Sequence, residues 1–196
     1  MPGRRIGLLG GTFNPPHAGH LQLSEIALRR LQLDQVWWIV TPGNPLKAGR
    51  PLPPIEVRAA ACRTLARDPR IIVTTFEQHL PTAYTAATLE FLTLRAPNAS
   101  FVWLMGADGL ANFHHWHAWR RIFATVPIAV IDRPGWHLKA ASSPAALAFA
   151  RSRRPEACGP TLPGSRAPAW TLLTGPLSPL SSTELRRRVT ASPAKT

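Results

Sequence analysis

Apolar residues in this chain gather into short runs separated by stretches of helical spacing. Residues 5–9 (RIGLL) form an apolar run stopped by Gly10 and Gly11, which predicts a buried parallel strand running into a turn. Residues 20–33 place Leu23, Ile26, Ala27, Leu28 and Leu31 on one helical face. The run VWWIV at 36–40, rich in β-branched and aromatic residues, predicts a second strand closed by the turn TPGNP. The pattern then repeats. Pro53 and Pro54 introduce a helix over 55–67, residues 71–75 read as a strand, and Thr85 can cap a helix reaching residue 95. A strand follows at 100–105 (SFVWLM), then two short helices in GADGLANF and HWHAWRRIF, a strand over 127–132, another over 170–173, and a closing arginine-rich helix over 182–189. Strands alternating with helices predict an α/β fold: a Rossmann-like, doubly wound, mostly parallel sheet with helices on both faces.

The stretch from about 136 to 169 breaks this rhythm. It is rich in Ala, Ser, Pro and Arg, and it is expected as a flexible excursion, with a helix over 144–154 as its one periodic feature. The 196 residues fit a single domain. No stretch approaches the ~18 apolar residues of a spanning helix, and the N-terminal run is too short for a signal peptide. Two cysteines, Cys62 and Cys158, are too few for a disulfide framework. A cytoplasmic protein without a membrane partner is the expectation.

Charge changes the picture. Lys and Arg number 23 against 10 acidic residues, a net +13 that favours an anionic partner. Scattered carboxylates argue against designs that need a cluster of acidic metal ligands. The run His114, His115, His117 has no nearby cysteine or carboxylate to complete a zinc set, so no metal site is read there.

The first glycine corner matches neither GxGxxG nor GxxxxGK[ST], which removes dinucleotide redox and P-loop readings. What stands there is GGTFNPPHAGH, residues 10–20. Gly10 and Gly11 let backbone amides approach an anion, and the following helix aims its positive end at the same place. His17 and His20, three residues apart, can both face one phosphate and donate hydrogen bonds as charge builds in a phosphoryl transfer. His20 could also cap the helix.

GGTFNPPHAGH resembles the HxGH signature of the nucleotidyltransferase superfamily. With FEQHLPTAYTAATL, WLMGADGLANFHHWHAW, DRPG and LSSTELRRR, in that order, the chain resembles the bacterial nicotinate-nucleotide adenylyltransferases. The resemblance implies that the phosphate of nicotinate mononucleotide attacks the α-phosphorus of ATP in line, giving nicotinate adenine dinucleotide and pyrophosphate for NAD synthesis, with Mg²⁺ entering alongside ATP. It implies catalytic roles for His17, His20 and Arg186. It gives ATP and phosphate contacts to Gly10, Gly11, Thr12, Phe13, Lys47, Gly106, Asp108, Arg133, Ser182 and Thr183, with Asp108 accepting from ribose hydroxyls and Arg133 near the adenine. Asn44, Tyr84, Thr85 and Trp116 are implied for the mononucleotide, Trp116 stacking on the pyridine ring.

Two departures from the family pattern stand out: Asn14 sits where aspartate is common, and the loop around Gly43 is short. Rival readings are a sibling transferase preferring the amide mononucleotide, another transferase of the superfamily such as a phosphopantetheine adenylyltransferase or a cytidylyltransferase, a non-catalytic nucleotide sensor, and a basic polyanion-binding module. No nucleic-acid recognition signature accompanies the arginines, so no specific nucleic-acid partner is expected. Oligomeric state is left open by the sequence.

Overall fold

The computed structural model describes residues 3–43 and 52–175. Its framework is one six-stranded sheet of β1 (Arg5–Gly11), β2 (Gln35–Val40), β3 (Ile71–Thr74), β4 (Ser100–Gly106), β5 (Ile128–Ile131) and β6 (Trp170–Leu173). The strand order is β3-β2-β1-β4-β5-β6 and every pairing is parallel. The expected doubly wound α/β sheet is therefore present, and fully parallel. Between β1 and β4 the direction of winding reverses, which opens a crevice beyond the carboxyl ends of those strands.

The apolar runs are continuous because both faces are covered. Along β1, Leu8 packs into one core and Leu9 into the other; along β4, Trp103 and Met105 alternate with Val102 and Leu104 in the same way. One face is covered by α3 (Thr85–Arg95), α4 (Ala107–Ala111), α5 (Trp119–Thr125), α6 (His137–Ala141) and α7 (Pro144–Ala148). The other is covered by α1 (Ala18–Arg30), α2 (Ile55–Leu65) and Leu162 of the 3-10 run Glu156–Gly164.

Residues 136–169 depart from the expected flexible excursion: they are folded onto the domain. Ser143 caps α7 by accepting the Ala146 amide at 3.2 Å, with Pro144 at the first helical position. Phe149 stacks on Phe123 with ring centres 4.1 Å apart, and Glu156 pairs with Arg30 at 2.8 Å. The elements here are only five residues long or 3-10 in form, and their buried residues are mainly Ala, Gly and Pro. Such segments carry almost no amphipathic period.

Three local readings also shift. Helix α1 begins at Ala18, two residues earlier than the apolar spacing suggested, and ends at Arg30, three residues before its expected end. Tyr84, not Thr85, occupies the cap position of α3. HWHAWRRIF is helical only from Trp119; before it, Phe113–His115 make a 3-10 turn and Trp116 is extended. The closing helix at 182–189 lies outside the described residues. Among the described residues no helix is long and apolar enough to cross a membrane.

Candidate active site

The loop after β1 and the start of α1 form one hydrogen-bonded unit. The Gly19 amide donates to His17 Nδ1 at 3.1 Å, and the His17 amide donates to His20 Nδ1 at 3.2 Å. This is a reciprocal cap in which imidazoles take the places usually held by Ser or Thr and by Glu or Gln. His17, not His20, is thus the cap residue. An Nδ1 that accepts leaves the proton of the neutral ring on Nε2, so each imidazole keeps one outward donor.

Burial keeps both rings neutral. His17 is 8% exposed and its pKa is lowered to about 4, chiefly by burial, then by the nearby Arg133 cation, with Asp108 pulling the other way. His20 falls to about 3, again chiefly by burial, then by His17 and Arg133. Beneath them the Phe13 ring packs against His20 at 4.7 Å and stacks on Trp38 at 5.1 Å. Ser24 ties these layers together, accepting from Trp38 Nε1 at 2.8 Å and donating to the His20 carbonyl at 2.9 Å.

Asp108 and Arg133 meet beside the histidines. Arg133 Nη1 donates to Asp108 Oδ2 at 2.8 Å, and the Arg133 amide donates to Asp132 Oδ1, also at 2.8 Å. A Cβ at Gly106 would lie 2.5 Å from Asp108 Oδ1 and 3.0 Å from Arg133 Cδ. Only glycine admits this pair so close to the end of β4. Asp108 stands in the first turn of α4 behind Gly106 as cap residue.

Alongside lies a cavity of about 410 Å³ bordered by Gly10, Gly11, Thr12, Thr41, Tyr84, Thr85, Trp103 and Trp116, among others. Gly10 has no room for a side chain, since its Cβ would fall 2.5 Å from Trp103 Cη2. Trp116 meets Trp103 edge to face with centres 6.3 Å apart, and Tyr84 stacks on His117 at 4.3 Å. Thr85 opens α3, whose first-turn amides face outward from the helix end. At the rear, buried Glu77 accepts from Thr88 Oγ1 at 2.6 Å; burial raises its carboxyl pKa, against the hydroxyl bonds from Thr88 and Thr41.

Gly10, Gly11, Thr12, Tyr84, Thr85 and Trp116 therefore share one cavity, and His17, His20, Asp108 and Arg133 form a polar cluster of two neutral rings and one ion pair at the other end of the same loop. Asn44, Lys47, Ser182, Thr183 and Arg186 lie outside the described residues. Sequence reading missed Trp103 and Glu77, which border the cavity. Trp103 and Glu77 stand inside recognised blocks but give no signal separating a lining residue from a core one. The crevice can hold two anionic groups, one over the loop amides and the imidazole donors, the other near the start of α3.

The chain matches the cytidylyltransferase-like family over residues 8–188. It is 57% identical over 184 residues to a Methylorubrum extorquens protein named "Probable nicotinate-nucleotide adenylyltransferase", covering 94% of this chain and 100% of that one. A Rhizobium meliloti protein of the same name is 57% identical over 181 residues, covering 92% of this chain and 96% of its own length. The fold is also that of Plasmodium falciparum nicotinic acid mononucleotide adenylyltransferase, solved in complex with NaAD, with TM-score 0.73, 16% identity, and coverage of 94% of this chain and 83% of that one.

Proposed function

This chain belongs to the nicotinate-nucleotide adenylyltransferases of the cytidylyltransferase-like family, and on that premise we propose the reaction and the residues that carry it. The reaction is transfer of the adenylyl group of ATP to nicotinate mononucleotide. A phosphate oxygen of the mononucleotide bonds to the ATP α-phosphorus as the bond from that phosphorus to the pyrophosphate oxygen breaks. The phosphate monoester is already ionised near pH 7, so no base is needed to generate the nucleophile. The protein's work is alignment and charge stabilisation.

The observation that carries this reading is the reciprocal histidine cap beside a cavity bordered by Tyr84, Thr85 and Trp116. Two neutral rings, each with its free proton on Nε2, donate to non-bridging oxygens without bringing a proton that could be lost to them. Gly10, Gly11, Thr12 and Phe13 supply backbone donors to the phosphates. Asp108, held by Arg133, accepts from the ribose hydroxyls, and Arg133 flanks the adenine. Nicotinate is taken at the start of α3, its carboxylate on the Thr85 amide and its ring against Trp116.

Mg²⁺ belongs to the substrate here. Among the described residues no group of three or more His, Cys, Asp or Glu side chains is placed to hold a metal, which suits an ion carried in by phosphate oxygens and water. Lys47, Ser182, Thr183 and Arg186 complete the phosphate contacts by family resemblance, with Asn44 on the mononucleotide side.

Pyrophosphate release with Mg-ATP, measured side by side with nicotinate mononucleotide, nicotinamide mononucleotide and phosphopantetheine, tests the reading. Preference for the first supports it. Turnover mainly of the amide moves the enzyme to a sibling specificity, and release with none of the three overturns it.

A further inference from the structure

We infer that Arg58 is a positioning residue for adenylyl transfer: its guanidinium fixes the Thr12–Phe13 peptide so that the Phe13 amide N–H is turned toward the bound phosphates. The inference rests on the adenylyltransferase reading, which is what brings phosphates to this loop.

Arg58 projects from α2 and is 3% exposed. Its hydrogen bonds run to carbonyl oxygens of three separate segments. Nε donates to Pro53 at 2.9 Å, Nη1 to Thr12 at 2.7 Å and to Thr41 at 2.9 Å, and Nη2 makes a long contact to Pro42 at 3.5 Å. A buried cation is expensive to desolvate, and carbonyl dipoles offset that cost only in good geometry. The planar fork of arginine can reach several such oxygens at once; the single ammonium of lysine cannot reproduce it.

The bond to Thr12 sets a direction. A trans peptide holds its C=O and N–H antiparallel, so a Thr12 carbonyl drawn toward α2 sends the Phe13 N–H the opposite way, away from α2, in the loop whose Gly10, Gly11 and Thr12 border the cavity. Among the described residues no backbone carbonyl outside the helices and strands accepts from that amide. The loop does not hold this shape by itself, because Phe13 is a non-glycine residue at φ +46°, in the left-handed region. Two clamps hold it: the Phe13 ring buried against Trp38, and the Arg58 bond one residue earlier. The same guanidinium bonds the carbonyl of Thr41, whose amide donates to Gly11 at 3.0 Å, so the ends of β1 and β2 are fixed together.

The test compares full-length wild type with Arg58→Gln, Arg58→Lys, Arg58→Ala and, as control, Arg63→Gln, which removes an exposed charge from the same helix. Steady-state turnover with Mg-ATP and nicotinate mononucleotide is measured below each variant's thermal midpoint, with and without millimolar guanidinium. A donor aimed wrongly should reduce kcat/KM for ATP on the order of 100-fold in folded Arg58→Gln. Arg58→Lys should recover only part of the loss, added guanidinium should restore turnover to Arg58→Ala, and Arg63→Gln should match wild type. Folded Arg58→Gln with wild-type kcat/KM overturns the inference. So does a loss that follows thermal stability alone and does not respond to guanidinium. Should Arg58→Gln and Arg58→Ala fail to fold, Arg58→Lys decides: unchanged kcat/KM in that variant overturns the inference, and a loss below its midpoint supports it. An inactive wild type would instead refute the proposed function.

Discussion

His17 and His20 hold each other: their ring centres are 3.8 Å apart, and the amide of the first donates to Nδ1 of the second. The start of α1 and the donor pair are consequently one structure. Each ring spends its inner nitrogen on the backbone and has its outer nitrogen left for a ligand.

His17→Asn separates these two uses. Asparagine caps helices well, so the fold should survive with a thermal midpoint close to wild type. Turnover should fall on the order of 10²-fold or more, the usual effect of deleting one transition-state donor. Unchanged turnover in a folded variant would remove His17 from the mechanism.

Acid should loosen this corner first. Both histidines have folded pKa values below the ordinary value of 6.5, at about 4 and about 3. Protons therefore favour the unfolded chain, and the stability these rings contribute is complete above pH 6.5 and is lost as pH falls toward 4. Protonation also turns Nδ1 from acceptor to donor and breaks the cap. His17 alone should account for ~2 kcal/mol across this window, a partial share of its shift at about 1.4 kcal/mol per unit. The thermal midpoint of wild type, followed from pH 7.5 to 4.5, should drop more steeply than that of His17→Asn. Parallel curves would show that this histidine is not the acid-sensitive group.

Gly10→Ala tests the packing of the cavity wall. Its Cβ would lie 2.5 Å from Trp103 Cη2, and Trp103, 3% exposed, has little room to yield. Overpacking of this kind costs about 1–3 kcal/mol, a midpoint lower by roughly 2–12 °C. Trp103→Leu should relieve most of that loss in the double variant, a coupling that a double-mutant cycle reads directly. Strict additivity of the two changes would contradict the contact.

Asp108→Asn should affect function more than stability. The Asp108–Arg133 pair keeps side-chain exposures of 38% and 21%, so its loss should cost under about 1 kcal/mol of folding stability. A carboxylate that accepts from ribose hydroxyls is worth more to a bound nucleotide, and KM for ATP should rise on the order of 10-fold. A large fall in thermal midpoint with KM unchanged would assign the pair a structural role instead.

The strands were readable because they are buried on both faces, and runs such as RIGLL and VWWIV need no periodicity to be seen. Glycine corners and the HxGH spacing marked the crevice for the same reason: a close backbone approach leaves residues of one type. What escaped notice depended on distance in sequence. Arg58 reads as one more exposed helix arginine until Thr12, Thr41 and Pro53 are brought around it. Residues 143–164 hide their packing in alanines and prolines, whose burial leaves no apolar stripe. The apolar spacing puts the cap on His20 and not on His17 because it places the start of the helix two residues too late.

The central place of β1 also governs when the site comes into being. Gly11 pairs with Val40 on one side, but on the other Leu8 must wait for Trp103. During synthesis the histidine loop is made well before β4, yet no crevice exists until β4 has left the ribosome and closed the sheet's middle. A nascent chain shorter than that presents an apolar strand with one open edge, a form prone to mispairing with other chains. Residues made early relative to β4 thus acquire their chemistry late, and the yield of folded protein should depend on how quickly β4 arrives.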